Sequence, residues 1–520
     1  MNDIIQIKRK LKKTWPIFFA RYGGNLFDVQ ARTIPLVLNG ENVIIASPTA
    51  SGKTEAVIAP IIESILNNPS EGLRVLYVVP TKALCNDLYY RLFELLQQIE
   101  IKIDLQTGDK HGFTLDNPPD ILITTPESMD SLICRHPEAL GNINFIILDE
   151  IHLLDNTHRG DQLRILIRRL GQLTKQVPRF YALSATLYNP IEIASRYFTE
   201  PKLVTAAGSR EIKYMIFDKI GEAVDAASNN GFKKLLIFCN YRAEVEDLSA
   251  ECAKFYPSKK IVVHHGKLDK KVREDAELFM KESPSGICIA TMTLEIGIDI
   301  GDIDAVILYG VPWSVSSLLQ RVGRGNRRKK TIVAYGICKE EQDRSSFKEM
   351  FDLANQGFIE HTNYQFDYSI IIQQIFSCLF ATRTGILEQS FLSIFSDFCT
   401  PDQLKLILSN LAEKEWIEYS YEKWFAKQKV MDLGDKGYIH SNISNTQDYS
   451  VVDGNSGASL GSLSMVLTEN TFRLAGKSWK VIRTEGTNIY VVPTSQAAST
   501  KFSISSRKSA YYYLLPPELK

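Results

Sequence analysis

The sequence has no excess of charge. Lys plus Arg is 60 and Asp plus Glu is 60 over 520 residues, so a nucleic-acid partner would be met by local basic patches. Paired cysteines are missing as well: the eight, at 85, 134, 239, 252, 288, 338, 378 and 399, are scattered, with no C-x-x-C. That spacing argues against zinc ribbons, a cysteine-ligated cluster and a disulfide framework, and favours a reducing compartment. No apolar run is long enough to span a bilayer. The basic stretch Lys8-Arg9-Lys10 and Lys12-Lys13 is not followed by the apolar core of a secretion signal. No membrane partner and a cytoplasmic location are therefore expected. What the chain does have is core material: 44% hydrophobic residues over 520 positions, enough for roughly three or four domains.

The most informative stretch is Ala46-Ser47-Pro48-Thr49-Ala50-Ser51-Gly52-Lys53-Thr54-Glu55. It follows an apolar run at 42–46 and opens a helical pattern over 55–66. A polar loop between strand and helix directs backbone N–H groups and a helix N-terminus at a phosphate. Ser51, Gly52 and Lys53 would cradle it, Lys53 reaching the outer phosphates and Thr54 offering its hydroxyl to Mg²⁺. The strict phosphate-loop pattern wants glycine where Ser47 stands. Upstream, Gln30 carries both a donor and an acceptor, which suits the edge of adenine or simply the start of a helix.

From 42 to about 200, short apolar strands (42–46, 74–79, 121–124, 145–148, 180–183) alternate with amphipathic helices such as 82–98 and 160–172. This pattern predicts a parallel sheet covered on both faces, with functional loops at the carboxyl ends of its strands. Asp149-Glu150-Ile151-His152 runs straight on from one such strand, and packing explains a carboxylate pair there poorly. Asp149 can join the Mg²⁺ shell and Glu150 can polarise an attacking water. Ser184-Ala185-Thr186 ends another strand. Pro80-Thr81-Lys82 and Thr124-Thr125-Pro126-Glu127 end two more, with groups suited either to a sugar–phosphate backbone or to helix capping.

After Ala206-Ala207-Gly208-Ser209-Arg210 a second alternating region has strands at 234–238, 261–264, 286–290, 305–309 and 331–335. It lacks a phosphate loop but carries Gln320-Arg321-Val322-Gly323-Arg324-Gly325-Asn326-Arg327. Arginines at 321, 324 and 327 share a helical face or turn, forming either a phosphate grip or a solvated patch. The loop from Thr291 to Asp299 mixes hydroxyls, carboxylates and glycine, suiting backbone phosphate or ribose.

Taken in order over about 25–340, these motifs resemble the DEAD/DEAH-box-like helicases of superfamily 2. The resemblance implies two tandem RecA-like domains and ATP with Mg²⁺. It gives Gln30 to adenine, Lys53 and Thr54 to phosphate and Mg²⁺, and Asp149 and Glu150 to hydrolysis. Arg324 and Arg327 become arginine fingers, and Asp299 and Gln320 join the nucleotide-binding set. Ser184, Thr186 and His152 would couple hydrolysis to movement. Pro80 to Lys82, Thr124 to Glu127, His265, Gly266 and Thr291 would line the strand groove. Ser47 and Ala50 stand where the family often has Ala and Gly; less loop freedom is expected, without loss of binding.

The tail has three helical patterns (365–380, 387–395, 401–415) and then Trp416-Ile417-Glu418-Tyr419, fitting a winged helix or a plain bundle. From about 430 a β-rich composition takes over. The runs Leu460-Gly461-Ser462-Leu463 and Phe472-Arg473-Leu474-Ala475-Gly476-Lys477-Ser478-Trp479, with Leu294-Glu295-Ile296-Gly297-Ile298-Asp299, resemble the Lhr (large helicase-related) branch. The last 25 residues depart from that pattern. The expected division is 1–205 and 206–345 for the RecA-like domains, 346–428 for connector and winged helix, and 429–520 for the β-rich domain. The expected function is an ATP-dependent helicase or translocase moving 3′→5′, with single-stranded DNA favoured over RNA. Its alternative is an ATP-gated clamp or scaffold in a defence or repair assembly, with protein partners on the C-terminal domains.

Overall fold

The computed structural model describes residues 2–20, 23–48, 51–185, 188–205, 210–256, 260–295, 300–326, 331–359, 364–443, 449–463, 471–494 and 509–520. The chain folds as two units. One holds residues 1–207, 361–445 and 507–520, and the other holds 208–360 and 446–506.

In the first unit, β1 (Val43–Ala46), β2 (Val75–Val78), β3 (Ile103–Thr107), β4 (Lys110–His111), β5 (Ile121–Thr124), β6 (Phe145–Leu148), β7 (Arg179–Ser184) and β8 (Lys202–Thr205) form one sheet. The spatial order is β4-β3-β5-β2-β6-β7-β1-β8, parallel except for the β3–β4 pair. β1, β2 and β5 are buried at every position, as a sheet with both faces covered requires. β3 alternates in burial, which is why an apolar-run reading passes over it.

Helices Ser369–Ala381, Glu388–Phe395 and Pro401–Glu413, with β15 (Ile386–Leu387), β16 (Ile417–Ser420) and β17 (Lys423–Ala426), make the winged helix of this unit. The helical module runs past the expected boundary at 428, because Val430 on helix Gln428–Asp435 and Ile439 are buried in its core. Tyr511, Leu514 and Leu515 return to the same core, so the last segment belongs here and not to the β-rich module.

The module is joined to the RecA-like domain through a buried polar network. Asp130 (0% exposed) accepts from Arg169 Nη1 (2.8 Å), Ser377 Oγ (2.7 Å) and His440 Nδ1 (3.0 Å). Arg169 also donates to Gln374 Oε1 at 2.9 Å. Asp130 sits below the usual carboxylate range: burial opposes this, but the His440 hydrogen bond and the Arg169 charge outweigh it.

The second unit contains β9 (Glu211–Phe217), β10 (Lys234–Cys239), β11 (Ile261–His264), β12 (Gly286–Ala290), β13 (Ala305–Tyr309) and β14 (Thr331–Ile337). They form an all-parallel sheet ordered β11-β12-β10-β13-β14-β9. A smaller sheet, β19-β18-β22-β21-β20, is built from β18 (Tyr449–Asp453), β19 (Ser459–Leu463), β20 (Thr471–Leu474), β21 (Lys477–Glu485) and β22 (Asn488–Pro493). The two sheets share one apolar core, in which Phe472, Leu474, Trp479 and Val491 pack with residues such as Val263 and Leu268. Gly461 lies at φ +150°, and a Cβ there would sit 2.3 Å from the Lys267 carbonyl. Only glycine lets the smaller sheet approach this closely.

Candidate active site

The first sheet brings the motifs to one edge. Reading across the carboxyl ends of β5, β2, β6, β7 and β1, one meets Thr125–Glu127, Pro80–Lys82, Asp149–Glu150, Ser184 and the phosphate loop. This is the edge where open parallel sheets carry ligands.

The loop is fixed by its own side chains. Ser51 Oγ donates to the Pro48 carbonyl (2.9 Å), so the 2.6 Å contact leaves Ser47 Oγ as donor to Ser51. The serine at the glycine position thus braces the loop. Ala50 and Thr49 lie outside the described residues. Lys53 is 8% exposed and donates to the carbonyls of Ser47 (2.8 Å) and Pro48 (3.0 Å). Gly52 caps helix Lys53–Asn67 at φ +77°, and a Cβ on it would meet Gln30 Nε2 at 2.3 Å. Gln30 both caps its own helix and reaches the loop: Oε1 accepts from Phe27 N (3.0 Å) and Nε2 donates to the Gly52 carbonyl (3.3 Å).

Asp149 accepts from Tyr77 Oη at 2.7 Å and from Glu150 N at 2.8 Å. Burial first, then the like charge of Glu150, pushes its pKa up to about 6 despite Tyr77 and Lys53. Tyr77 was not visible as a site residue in the sequence; its one signal is a hydroxyl inside the aliphatic strand Val-Leu-Tyr-Val. Its phenol thus holds one oxygen of the carboxylate expected at Mg²⁺. Two crowded carboxylates and a hydroxyl are the hard oxygen donors that a divalent cation takes, and its charge would relieve their repulsion.

Glu150 adopts left-handed backbone (φ 47°, ψ 43°), and its Oε2 is buried with no hydrogen-bond partner. An orphaned acceptor of this kind can receive a water. His152 Nδ1 lies 3.1 Å from Ser184 Oγ and accepts from Ala185 N at 3.4 Å. The motif after β6 is thereby tied to the motif after β7. Thr186 lies outside the described residues.

Farther along the edge, Thr81 caps helix Lys82–Gln97 by accepting from Leu84 N (3.3 Å), and Thr124 Oγ1 donates to the Gln106 carbonyl (2.9 Å). Glu127 is clamped by Arg159 at 2.5 and 2.9 Å. Burial raises Glu127, but Arg159 holds it below the usual range. Thr124 and Pro126 are buried. Pro80, Lys82, Thr125 and Glu127 line a cavity of about 890 Å³, together with Arg135, Arg159, Lys436, His440 and Ser441. Residues from both the RecA-like domain and the helical module therefore face one cavity.

In the second unit Arg321 and Arg324 are each 1% exposed, which removes the solvated-patch reading for these two. Arg321 donates to Glu295 Oε1 (2.6 Å) and Asn240 Oδ1 (2.8 Å), and Arg324 donates to the Glu295 carbonyl (2.6 Å). Gln320 is half-buried on the same helix, Val315–Val322; Asp299 and Arg327 lie outside the described residues. The His265 ring is fully buried, with Nε2 donating to Glu246 at 2.8 Å. It cannot offer its ring to a strand; Thr291 is buried as well, at 6% exposed, so that edge presents the Gly266 backbone.

Among the described residues, Asp130, Cys134 and His440 have the spacing of metal ligands. Arg169, 2.8 Å from Asp130 and 3.6 Å from Cys134 Sγ, already supplies a cation there. No helix among the described residues is long and apolar enough to cross a membrane.

The DEAD/DEAH box helicase family model matches residues 27–193, and the helicase conserved C-terminal domain model matches 216–329. The ATP-dependent helicase Lhr-Core of Methanocaldococcus jannaschii is 33% identical over 368 residues, covering 63% of this chain and 43% of that protein. The chain thus spans under half the length of that relative. The structure of Mycobacterium smegmatis helicase Lhr bound to ssDNA and AMP-PNP shares the fold with a TM-score of 0.72 at 22% identity, over 84% of this chain and 62% of that one. Helicase MrfA bound to DNA and AMPPNP gives 0.76 at 21% identity, over 94% and 72%. With both family models in register with the phosphate loop, the acidic pair and the arginine helix, the chain belongs to the DEAD/DEAH box helicases of superfamily 2 and resembles their Lhr branch.

Proposed function

We propose that this chain is a nucleic-acid-stimulated ATPase that moves 3′→5′ along single-stranded DNA and separates duplex. The observation that carries this reading is the Glu150 carboxylate beside Asp149, its buried Oε2 making no hydrogen bond and lying 3.5 Å from His152 Nδ1, on the edge that also holds Lys53. Lys53 would exchange the Ser47 and Pro48 carbonyls for phosphate oxygens, and Glu150 would orient the attacking water. Mg²⁺, held by Thr54 and Asp149, would neutralise phosphate charge. Ser184, Thr186 and His152 would relay the change along the strand ends, with Arg324 and Arg327 assisting turnover.

Strand contacts fall to Pro80–Lys82, Thr124–Glu127 and Gly266. In the cavity Lys82 is paired with Asp109 and Arg159 with Glu127, which leaves Arg135 and Lys436 as its local cations, and such contacts read backbone more than sequence. The ssDNA and DNA named for the Lhr and MrfA structures support DNA over RNA here.

The test is strand displacement on duplexes carrying either a 3′ or a 5′ single-stranded tail, with ATP and Mg²⁺. Displacement of the 3′-tailed substrate alone is expected. ATP turnover stimulated by the strand without displacement of either substrate would replace this reading with an ATP-gated clamp.

A further inference from the structure

Of five tryptophans, Trp15, Trp424 and Trp479 are buried and Trp416 is half-buried, whereas Trp313 is 67% exposed. It lies in the turn after β13, just before Ser314, which caps helix Val315–Val322. Tyr241, 37% exposed, follows β10 and meets it edge to face, with ring centroids 5.7 Å apart and planes at 81°. β10 and β13 are paired neighbours, so both rings stand on the carboxyl edge of the second sheet. Asn240 joins the two loops that carry them: its Nδ2 donates to the Val311 carbonyl (2.8 Å) and its Oδ1 accepts from buried Arg321 (2.8 Å).

Two large rings outside any core, on loops joined through Asn240, call for a planar apolar ligand. Their neighbours on the edge indicate which. The next strands, β12 and β11, end in Thr291-Met292 and His265-Gly266; Thr291 and His265 are buried, so the edge offers the exposed Gly266 backbone and Met292, 66% exposed. From β11 to β13 the row crosses three strand spacings, about 14 Å. Lys339 Nζ stands 5.8 Å from the Tyr241 ring centroid and is paired with Glu244, so the pair lends the edge no net charge. Backbone groups and ring faces in one row match the alternation of phosphate and base in a single strand.

We propose that Trp313 and Tyr241 form a base-stacking platform for single-stranded nucleic acid, with no preference among bases because each has a π-face. The proposal rests on the strand-binding reading above and adds to it the residues that hold the bases.

Two signals test it together: anisotropy of an end-labelled oligothymidine for binding, and intrinsic tryptophan emission for stacking. An abasic oligomer of equal length serves as the control. Wild type should bind oligothymidine with quenched emission. Trp313→Phe should bind with similar affinity but lose most of the quenching. Trp313→Ala should bind oligothymidine roughly 5- to 150-fold more weakly and bind the abasic oligomer like wild type. Anisotropy binding without quenching, with Trp313→Ala at wild-type affinity, would overturn the platform and leave strand binding standing. Equal weakening of Trp313→Ala on both oligomers would also overturn it, since bases would then not be what the ring holds. No binding of oligothymidine by wild type would remove the strand-binding reading itself.

Discussion

The two tail modules are attached by opposite chemistry. The winged helix joins its RecA-like domain through charges and amides: Asp130, Arg169, Gln374, Ser377 and His440 are all buried and mutually bonded. The β-rich module joins its domain through a shared apolar core. Among the described residues, the buried Glu246 of the RecA-like domain accepts there from the backbone N–H groups of Ala475 (2.8 Å) and Gly476 (2.6 Å) and from His265. Burying ions is costly unless every partner is in place, so the polar joint specifies one register and tolerates no partial version. An apolar joint loses stability in proportion to what is removed. The polar joint also borders the cavity assigned to the strand, since His440 lines it.

Removing one member of the polar joint should have the largest effect. Asp130→Ala leaves Arg169 and His440 buried without their carboxylate, at a cost of roughly 3–5 kcal/mol. Hydrogen exchange should speed up in peptides 369–381 and 428–443 while 449–493 stays protected. Equal loosening of both tail segments would erase the distinction. In the β-rich module, Leu474→Ala should cost about 2–4 kcal/mol by leaving a cavity in the shared core, and should expose 471–493 alone.

The polar joint should also respond to pH. Burial lowers His440, but the Asp130 hydrogen bond outweighs it and carries the group up to about 9, above its ordinary 6.5. A raised folded value means the contribution is complete below pH 6.5 and is lost as pH rises through 9. A loss on the order of 2 kcal/mol is expected in the 369–443 peptides between pH 7 and 10, and His440→Asn should flatten it. The smallest effect belongs to Arg473→Ala. Its 2.8 Å pair with Asp247 is half open to solvent, so urea melts should shift by roughly 0.2–1 kcal/mol.

Both RecA-like domains were largely legible, because buried parallel strands are written as apolar runs and their ligands follow them directly. β9, whose Glu-Ile-Lys-Tyr-Met-Ile-Phe alternates in burial at a sheet edge, was not. Tyr77 escaped notice because its role depends on Asp149, 72 residues away. Arg324 and His265 were legible as motif positions, but their burial is set by Glu295 and Glu246, which only folding brings near. The tail boundary at 428 failed for the same reason: helix Gln428–Asp435 belongs to the winged helix by where Val430 is buried, not by composition.

The central claim is that Glu150 activates water for an ATPase driven by a bound strand. ATP turnover should be measured side by side with single-stranded DNA, single-stranded RNA, duplex and no nucleic acid, for wild type and Glu150→Gln. Strong stimulation by single-stranded DNA in wild type is expected, with turnover falling roughly 10²–10⁴-fold in Glu150→Gln. Wild-type turnover indifferent to every nucleic acid, or a Glu150→Gln rate equal to wild type, would contradict the claim.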